Sequence, residues 1–255
     1  MNSFWKKILY FAQKTTVRVG NHLLRDFGRV TASEKADGSL VTQADKWAEG
    51  ELTEAIASAF PSHGVLSEET AQIFPDNEWC WIIDPIDGTT NFTRGIPIWG
   101  ISLGLLYQGT PVFGYVHLPP NGQTFHGFWG KHPEIYLPKN QAFLNQRPIR
   151  TSENNPSSNH FFNLCARSTD VLRRSPEFPC KIRMLGVATY NLLTVAAGIA
   201  IGGVEATPKI WDIAAVWAIL QAAGGEWCDS FRRKSAMVKV GSGSISRITL
   251  VLMGV

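Results

Sequence analysis

The chain has 255 residues, 44% of them hydrophobic, with 9 Trp and 14 Phe, which is too apolar for a disordered chain and long enough to bury a sizeable core. Its formal charge of +3 marks no polyanion-binding face: Arg232, Arg233, Lys234, Lys239 and Arg247 all follow residue 228, so the body keeps 19 of the 24 basic and 20 of the 21 acidic side chains, and nucleic acid is not an expected partner. The cysteines, Cys80, Cys165, Cys180 and Cys228, form no C-x-x-C pair and sit among apolar neighbours, so buried reduced thiols and a cytoplasmic location are expected rather than zinc or disulfides.

Residues 3–27 place Phe4, Trp5, Ile8, Leu9, Ala12, Val19, Leu23 and Leu24 near helical spacing, with Lys6, Lys7, Lys14, Arg18 and Arg25 between them. This predicts an amphipathic first helix. Lys14 and Arg18 interrupt any signal-peptide core, and the longest apolar stretch, 192–204, contains three glycines, so neither export nor a membrane span is expected. A second helix should start at Thr42, capped by its hydroxyl and supported by Asp45, and run to about Phe60 before Pro61. A short strand at 64–66 leads into Ser67-Glu68-Glu69.

Between 79 and 130 the pattern changes to short apolar runs, 79–83, 99–107, 111–118 and 124–128, separated by Gly- and Pro-containing turns, as in a largely antiparallel sheet. The polar, turn-rich stretch 131–159 reads as a connection. Beyond it the spacing predicts a strand near 182–185, a helix at about 187–197, a strand near Val204 and a helix from Asp212 to Ala223, stopped by Gly224-Gly225. The expected fold class is α/β, an α+β layered arrangement of sheets and helices. The expected organisation is a single domain over 1–255 with two halves, about 1–140 and 141–228, and an atypical tail at 229–255.

The chemistry concentrates in 81–92, Trp-Ile-Ile-Asp-Pro-Ile-Asp-Gly-Thr-Thr-Asn-Phe, where a buried strand ends in two carboxylates. Pro85 cannot extend a ladder and Gly88 permits a tight turn, so Asp84, Asp87 and the Ile86 carbonyl can converge on one point. Three hard oxygen ligands suit Mg²⁺. Gly88 and Thr89 then open a short helix whose free amides favour an anion such as phosphate. An isolated Asp-x-x-Asp-Gly-Thr reads almost equally well as solvated turn chemistry. Asp45 alone reads equally as a helix cap, Asp212 as a first-turn carboxylate and Glu68 as surface charge. The six histidines, His126 and His132 included, show no metal-ligand spacing.

The whole of 81–92 resembles the inositol monophosphatase signature W-x-[IV]-D-P-[IL]-D-G-T-x-N-F. Trp211-Asp212-Ile213-Ala214-Ala215, the acidic segment 66–70, Lys35 with 40–45, and Gly95-Ile96-Pro97 match further family motifs in order. The resemblance covers roughly residues 4–228. It implies a sugar-phosphatase-like αβαβα sandwich, a homodimer, and a Mg²⁺-dependent, lithium-sensitive phosphatase acting on a small phosphomonoester, above all an inositol monophosphate. It implies Mg²⁺ ligands Glu68, Asp84, the Ile86 carbonyl, Asp87 and Asp212. Gly88 and Thr89 would hold the phosphate. Thr89, linked to Asp45, would orient and deprotonate the attacking water with Glu68 nearby. Gly186, Val187, Ala188 and Glu205 would contact the alcohol.

Histidinol phosphate, fructose 1,6-bisphosphate or a 3′-phosphorylated nucleotide are alternative substrates, since the metal motifs would serve all of them. A haloacid-dehalogenase-type phosphatase fits poorly, because its two carboxylates are separated by one residue and these by two. A non-catalytic, RNA-associated role is the reading from another class; five clustered carboxylates argue against it. After Gly224-Gly225-Glu226-Trp227 the family pattern is lost, which predicts an uncovered sheet edge and exposed apolar surface near the C-terminus.

Overall fold

The computed structural model of the protein describes residues 1–70, 73–130, 140–169, 178–206, 208–229 and 249–253. In chain order the elements are α1 (Ser3–Asp26), the short pair β1 (Ser33–Glu34) and β2 (Leu40–Val41), α2 (Gln43–Ala59), β3 (Gly64–Ser67), β4 (Trp79–Asp87) and α3 (Thr89–Thr93). Five strands follow: β5 (Gly100–Tyr107), β6 (Thr110–Leu118), β7 (Gln123–Phe128), β8 (Gln141–Leu144) and β9 (Arg147–Ile149). The remainder comprises β10 (Phe161–Leu164), β11 (Lys181–Arg183), α4 (Ala188–Ala196), β12 (Ala200–Ala206), α5 (Ile210–Ala222), β13 (Glu226–Asp229) and β14 (Thr249–Met253).

Helix α1 buries Trp5, Ile8, Ala12, Val19 and Leu23, the stripe its spacing predicts, and starts where Asn2 accepts the Trp5 amide at 3.1 Å. In α2 the capping box is realised: Thr42 accepts from Ala44 and Asp45, while the Thr42 amide donates to Asp45 at 2.7 Å. Both helices cover one face of a seven-stranded sheet, ordered β3-β4-β5-β6-β7-β8-β9. That core contains Ile8, Leu52, Ile56, Trp81, Ile83 and Phe113, each contributing about 1.5–3 kcal/mol by leaving water.

The opposite face of the sheet is shaped by absence of side chains. Gly104 pairs with Gly114, and Gly114 with Gly127, across β5, β6 and β7. This glycine row forms a shallow channel in which α5 lies. A Cβ on Gly114 would stand 1.9 Å from the Ala215 carbonyl oxygen, one on Gly104 2.8 Å from Ala214 Cβ, and one on Gly127 2.7 Å from Ile219 Cα. Helix α5 can therefore approach the strands at backbone contact, which fixes the depth at which its first turn meets the end of β4.

Helices α4 and α5 share a second core with both sheets, through Val116 and Phe125 on one side and Ala200 on the other, with Leu192, Leu193, Ile219 and Leu220 between. The second sheet is ordered β11-β10-β12-β14-β13 and its neighbours pair in parallel. Helix and sheet thus alternate in layers, as the α/β reading expects.

Three differences from the sequence reading have physical causes. Strand β4 does not stop at Asp84 but runs to Asp87, with a register shift between Asp84 and Asp87 where Pro85 withholds a donor. Strands β8 and β9 arise inside the supposed connection 131–159 and extend the first sheet; they and β10 are only three or four residues long, too short for an alternation signal. The chain end forms β14, an inner strand parallel to β12 and β13, and among the described residues β13 is the terminal strand of that sheet. The Thr-Leu-Val-Leu-Met sequence of β14 is the continuous apolar, β-prone run that an inner parallel strand requires. His132, the polar segment 131–139 and the basic cluster after residue 229 lie outside the described residues. Among the described residues Cys80, Cys165 and Cys180 are free thiols, and no helix is long and apolar enough to cross a membrane.

Because backbone and not a flexible side chain faces Gly114, Gly114→Ala should cost about 3 kcal/mol through overpacking and push α5 outward. Chemical denaturation of the variant against the parent chain measures it; an unchanged midpoint would contradict the glycine channel.

Candidate active site

The end of β4, the first turns of α4 and α5 and the end of β12 meet around a cleft of about 450 Å³, within the usual range for small-ligand sites. Strand β4 is buried on both faces up to Ile83 and then delivers Asp84 and Asp87, only 2% and 7% exposed. The Asp84 carboxylate accepts the Ile86 amide at 3.1 Å, which curls the chain at the proline. Gly88 follows at φ 92°, a left-handed conformation, and a Cβ there would meet Val187 Cγ2 at 2.6 Å. Glycine is required twice over, by dihedral and by space.

Asp212 arrives on α5, whose start it stabilises by accepting the Lys209 amide at 2.7 Å. Asp84, Asp87 and Asp212 each bring a carboxylate oxygen within 4.8 Å of the others. Burial, then repulsion from Glu68, Asp87 and Asp212, drives the Asp84 carboxyl well above its ordinary range. Burial and Asp87 push Asp212 up to about 8, and burial raises Asp87. Buried anions this close need a compensating charge. Their hard oxygens fit a divalent cation, and the Ile86 residue between two of them lines the same cleft.

Asp87 has a second task. One of its oxygens accepts both the amide of Thr189, at 2.7 Å, and the Thr189 hydroxyl. Val187, the cap residue of α4, offers no side-chain cap, so the carboxylate from the first sheet serves as the N-cap of α4. Asn91 ties the same two regions, donating to the carbonyls of Ile98 and Leu185 at 2.9 Å each. The sequence reading missed Thr189; its only signal was a polar residue one position after Ala188.

Thr89 sits at the start of α3, its hydroxyl 3.2 Å from Asp45 and 3.1 Å from the Ile86 carbonyl. Asp45, which closes the capping box of α2, is 1% exposed and raised by burial, against the hydrogen bonds from Thr42 and Thr89. Glu68 lines the cleft, but in this arrangement it is ion-paired with Lys35 at 2.8 Å, which also holds Glu69 at 2.6 Å. Burial takes Glu68 up to about 7 against the pull of Lys35. Gly186, Val187 and Ala188 line the opposite wall with Glu205, which is 5% exposed, bonded by the Asn191 amide and raised by burial to about 7. The cleft brings together Glu68, Asp84, Ile86, Asp87, Gly88, Thr89, Gly186, Val187, Ala188, Glu205 and Asp212; Asp45 stands behind Thr89. Arg167 also lines it, from a turn after β10 that carried no sequence signal.

The profile of the Inositol monophosphatase family matches residues 5–248. The chain is 34% identical over 227 residues to the fructose-1,6-bisphosphatase/inositol-1-monophosphatase of Thermotoga maritima, covering 85% of this chain and 82% of that one. It is 32% identical over 231 residues to the inositol-1-monophosphatase of Synechocystis sp., covering 85% and 77%. Among solved structures it is similar to the extragenic suppressor protein suhB from Bartonella henselae, with a TM-score of 0.77, 30% identity and coverage of 86% and 85%.

Two outcomes follow from the geometry. Asp84→Asn should stabilise the cation-free protein, raising Tm by about 2–4 °C per kcal/mol of repulsion removed, and should abolish any rise in Tm on adding a divalent cation; differential scanning fluorimetry reads both. Thr189→Val should destabilise by about 1–3 kcal/mol by leaving a buried Asp87 oxygen short of a donor, and Thr189→Ser should restore most of it in the same denaturation assay.

Proposed function

Because the chain belongs to the inositol monophosphatase family, and is thereby a phosphoric monoester hydrolase, we propose that it hydrolyses inositol monophosphate to inositol and phosphate with Mg²⁺ at the carboxylate cluster. The observation that carries this reading is the convergence of Asp84, Asp87 and Asp212 on one point inside a cleft. Their oxygens, the Ile86 carbonyl and Glu68, once released by Lys35, would hold the ions. The chemistry that bound Mg²⁺ supplies is charge neutralisation at the phosphoryl group and acidification of water.

The protein's own groups would do the rest. The Gly88 and Thr89 amides orient the phosphate. The Thr89 hydroxyl, backed by Asp45, aligns a water with phosphorus and relays its proton, with Glu68 as a second acceptor. A bond forms between the water oxygen and phosphorus, the bond to the alcohol oxygen breaks, and that oxygen leaves with a proton. Glu205, fixed by Asn191, accepts hydrogen bonds from substrate hydroxyls, which favours a polyol. Gly186, Val187 and Ala188 shape the wall beside it. The reading extends to a cytoplasmic homodimer inhibited by Li⁺, in keeping with the family and the free thiols.

The test is phosphate release from inositol 1-phosphate, with and without Mg²⁺. The parent chain should turn over only with Mg²⁺, and Asp84→Asn should lose at least about 10²–10³ in kcat, a loss of several kcal/mol. Glu205→Gln should raise KM for inositol 1-phosphate more than for p-nitrophenyl phosphate, which has no hydroxyls to recognise. Metal-independent turnover, or an active Asp84→Asn, would overturn the mechanism; preference for fructose 1,6-bisphosphate or histidinol phosphate would overturn the substrate.

A further inference from the structure

Helix α2 carries two buried carboxylates one turn apart on the same face, Asp45 and Glu49. Asp45 receives the Thr89 hydroxyl. Glu49, 2% exposed and outside the cleft lining, faces the turn that follows β3. Its Oε1 accepts the Ser67 hydroxyl, the Thr70 amide at 3.1 Å and the Thr70 hydroxyl at 2.5 Å. Its Oε2 is buried with no hydrogen-bond partner among the described residues.

Ser67 and Thr70 flank Glu68 and Glu69, so one carboxylate oxygen pins both ends of the acidic turn. Burying a carboxylate with one oxygen unpaired is costly, and the same face of α2 carries Leu52 and Ile56 where it only packs. What a carboxylate adds at this position is strength of hold, since hydrogen bonds to an ionised oxygen are shorter and about twice as strong as neutral ones. Lys35 holds the two acidic side chains themselves, Glu68 at 2.8 Å and Glu69 at 2.6 Å. An ammonium on a flexible stem can yield its place to a cation; Glu49, on a packed helix, stays. Asp45 and Glu49 together therefore tie Thr89 and the Glu68 turn to one rigid element.

Resting on the reading of Glu68 as a cation ligand, we propose that Glu49 is a positioning residue: it fixes the 67–70 turn so that Glu68, on leaving Lys35, meets a cation held by Asp84 in the same cleft. Isothermal titration of Mg²⁺ into the full chain tests it, with Glu49→Leu alone, Glu68→Gln alone and the two combined. Leucine suits the buried face that Leu52 and Ile56 share. If Glu49→Leu does not fold, Ser67→Ala combined with Thr70→Val removes the two hydroxyl donors instead and takes its place in every arm. Glu49→Leu should weaken Mg²⁺ binding about 10–100-fold, the usual effect of losing a group that orients a metal ligand, and should weaken it no further in the Glu68→Gln background. Equal weakening in both backgrounds, or unchanged affinity in Glu49→Leu, would overturn the positioning role. Unchanged affinity in Glu68→Gln would overturn Glu68 as a ligand, and the role of Glu49 with it.

Discussion

Repulsion among Asp84, Asp87 and Asp212 is the constraint on which the architecture of the candidate site depends. Three carboxylates within 4.8 Å of one another, two of them almost fully buried, do not collect spontaneously; each must be held by contacts stronger than its preference for water. Asp84 is fixed by the Ile86 amide, Asp87 by Thr189 and Asp212 by Lys209. Every one of those donors includes a backbone amide, a rigid partner that loses no rotamer freedom. The remaining charge is the part of the site that a hard cation can satisfy.

The packing beneath explains how anions from distant parts of the chain reach one place. The glycine row Gly104-Gly114-Gly127 lowers α5 onto the strands, and the depth of that contact sets where Asp212 meets the end of β4. On the other side Asp87 caps α4, so a carboxylate of the candidate metal cluster is also a structural joint to the second sheet. Site and fold therefore share residues: loosening α4 disturbs the cluster, and neutralising the cluster removes a helix cap.

Asp45 and Thr89 show the same economy. The carboxylate that closes the capping box of α2 also receives the Thr89 hydroxyl. The two readings of Asp45 that its local sequence left equal, cap and relay, are compatible because its two oxygens face different partners. Glu68 is different. Its pairing with Lys35 leaves its carboxylate engaged by an ammonium, so any contact with a cation would require an exchange of partners.

Much of this was legible in the sequence, because local patterns record local physics. The α1 stripe, the Thr42 cap, the buried strand ending in Asp-Pro-Ile-Asp-Gly and the Gly224-Gly225 stop each depend on neighbours within a few residues. The short strands β8, β9 and β10 were not legible, since three or four residues gain strand character only from the partner they pair with. Nor was the role of the final 249–253 strand, whose place between β12 and β13 is a matter of long-range pairing. Residue types and spacing determined that a turn bearing two close carboxylates ends a buried strand; only tertiary structure decided that Asp87 caps α4 through Thr189, that Lys35 holds Glu68 and that glycines admit α5. Those contacts join residues far apart in the chain, and no periodicity records them because chain connectivity imposes none.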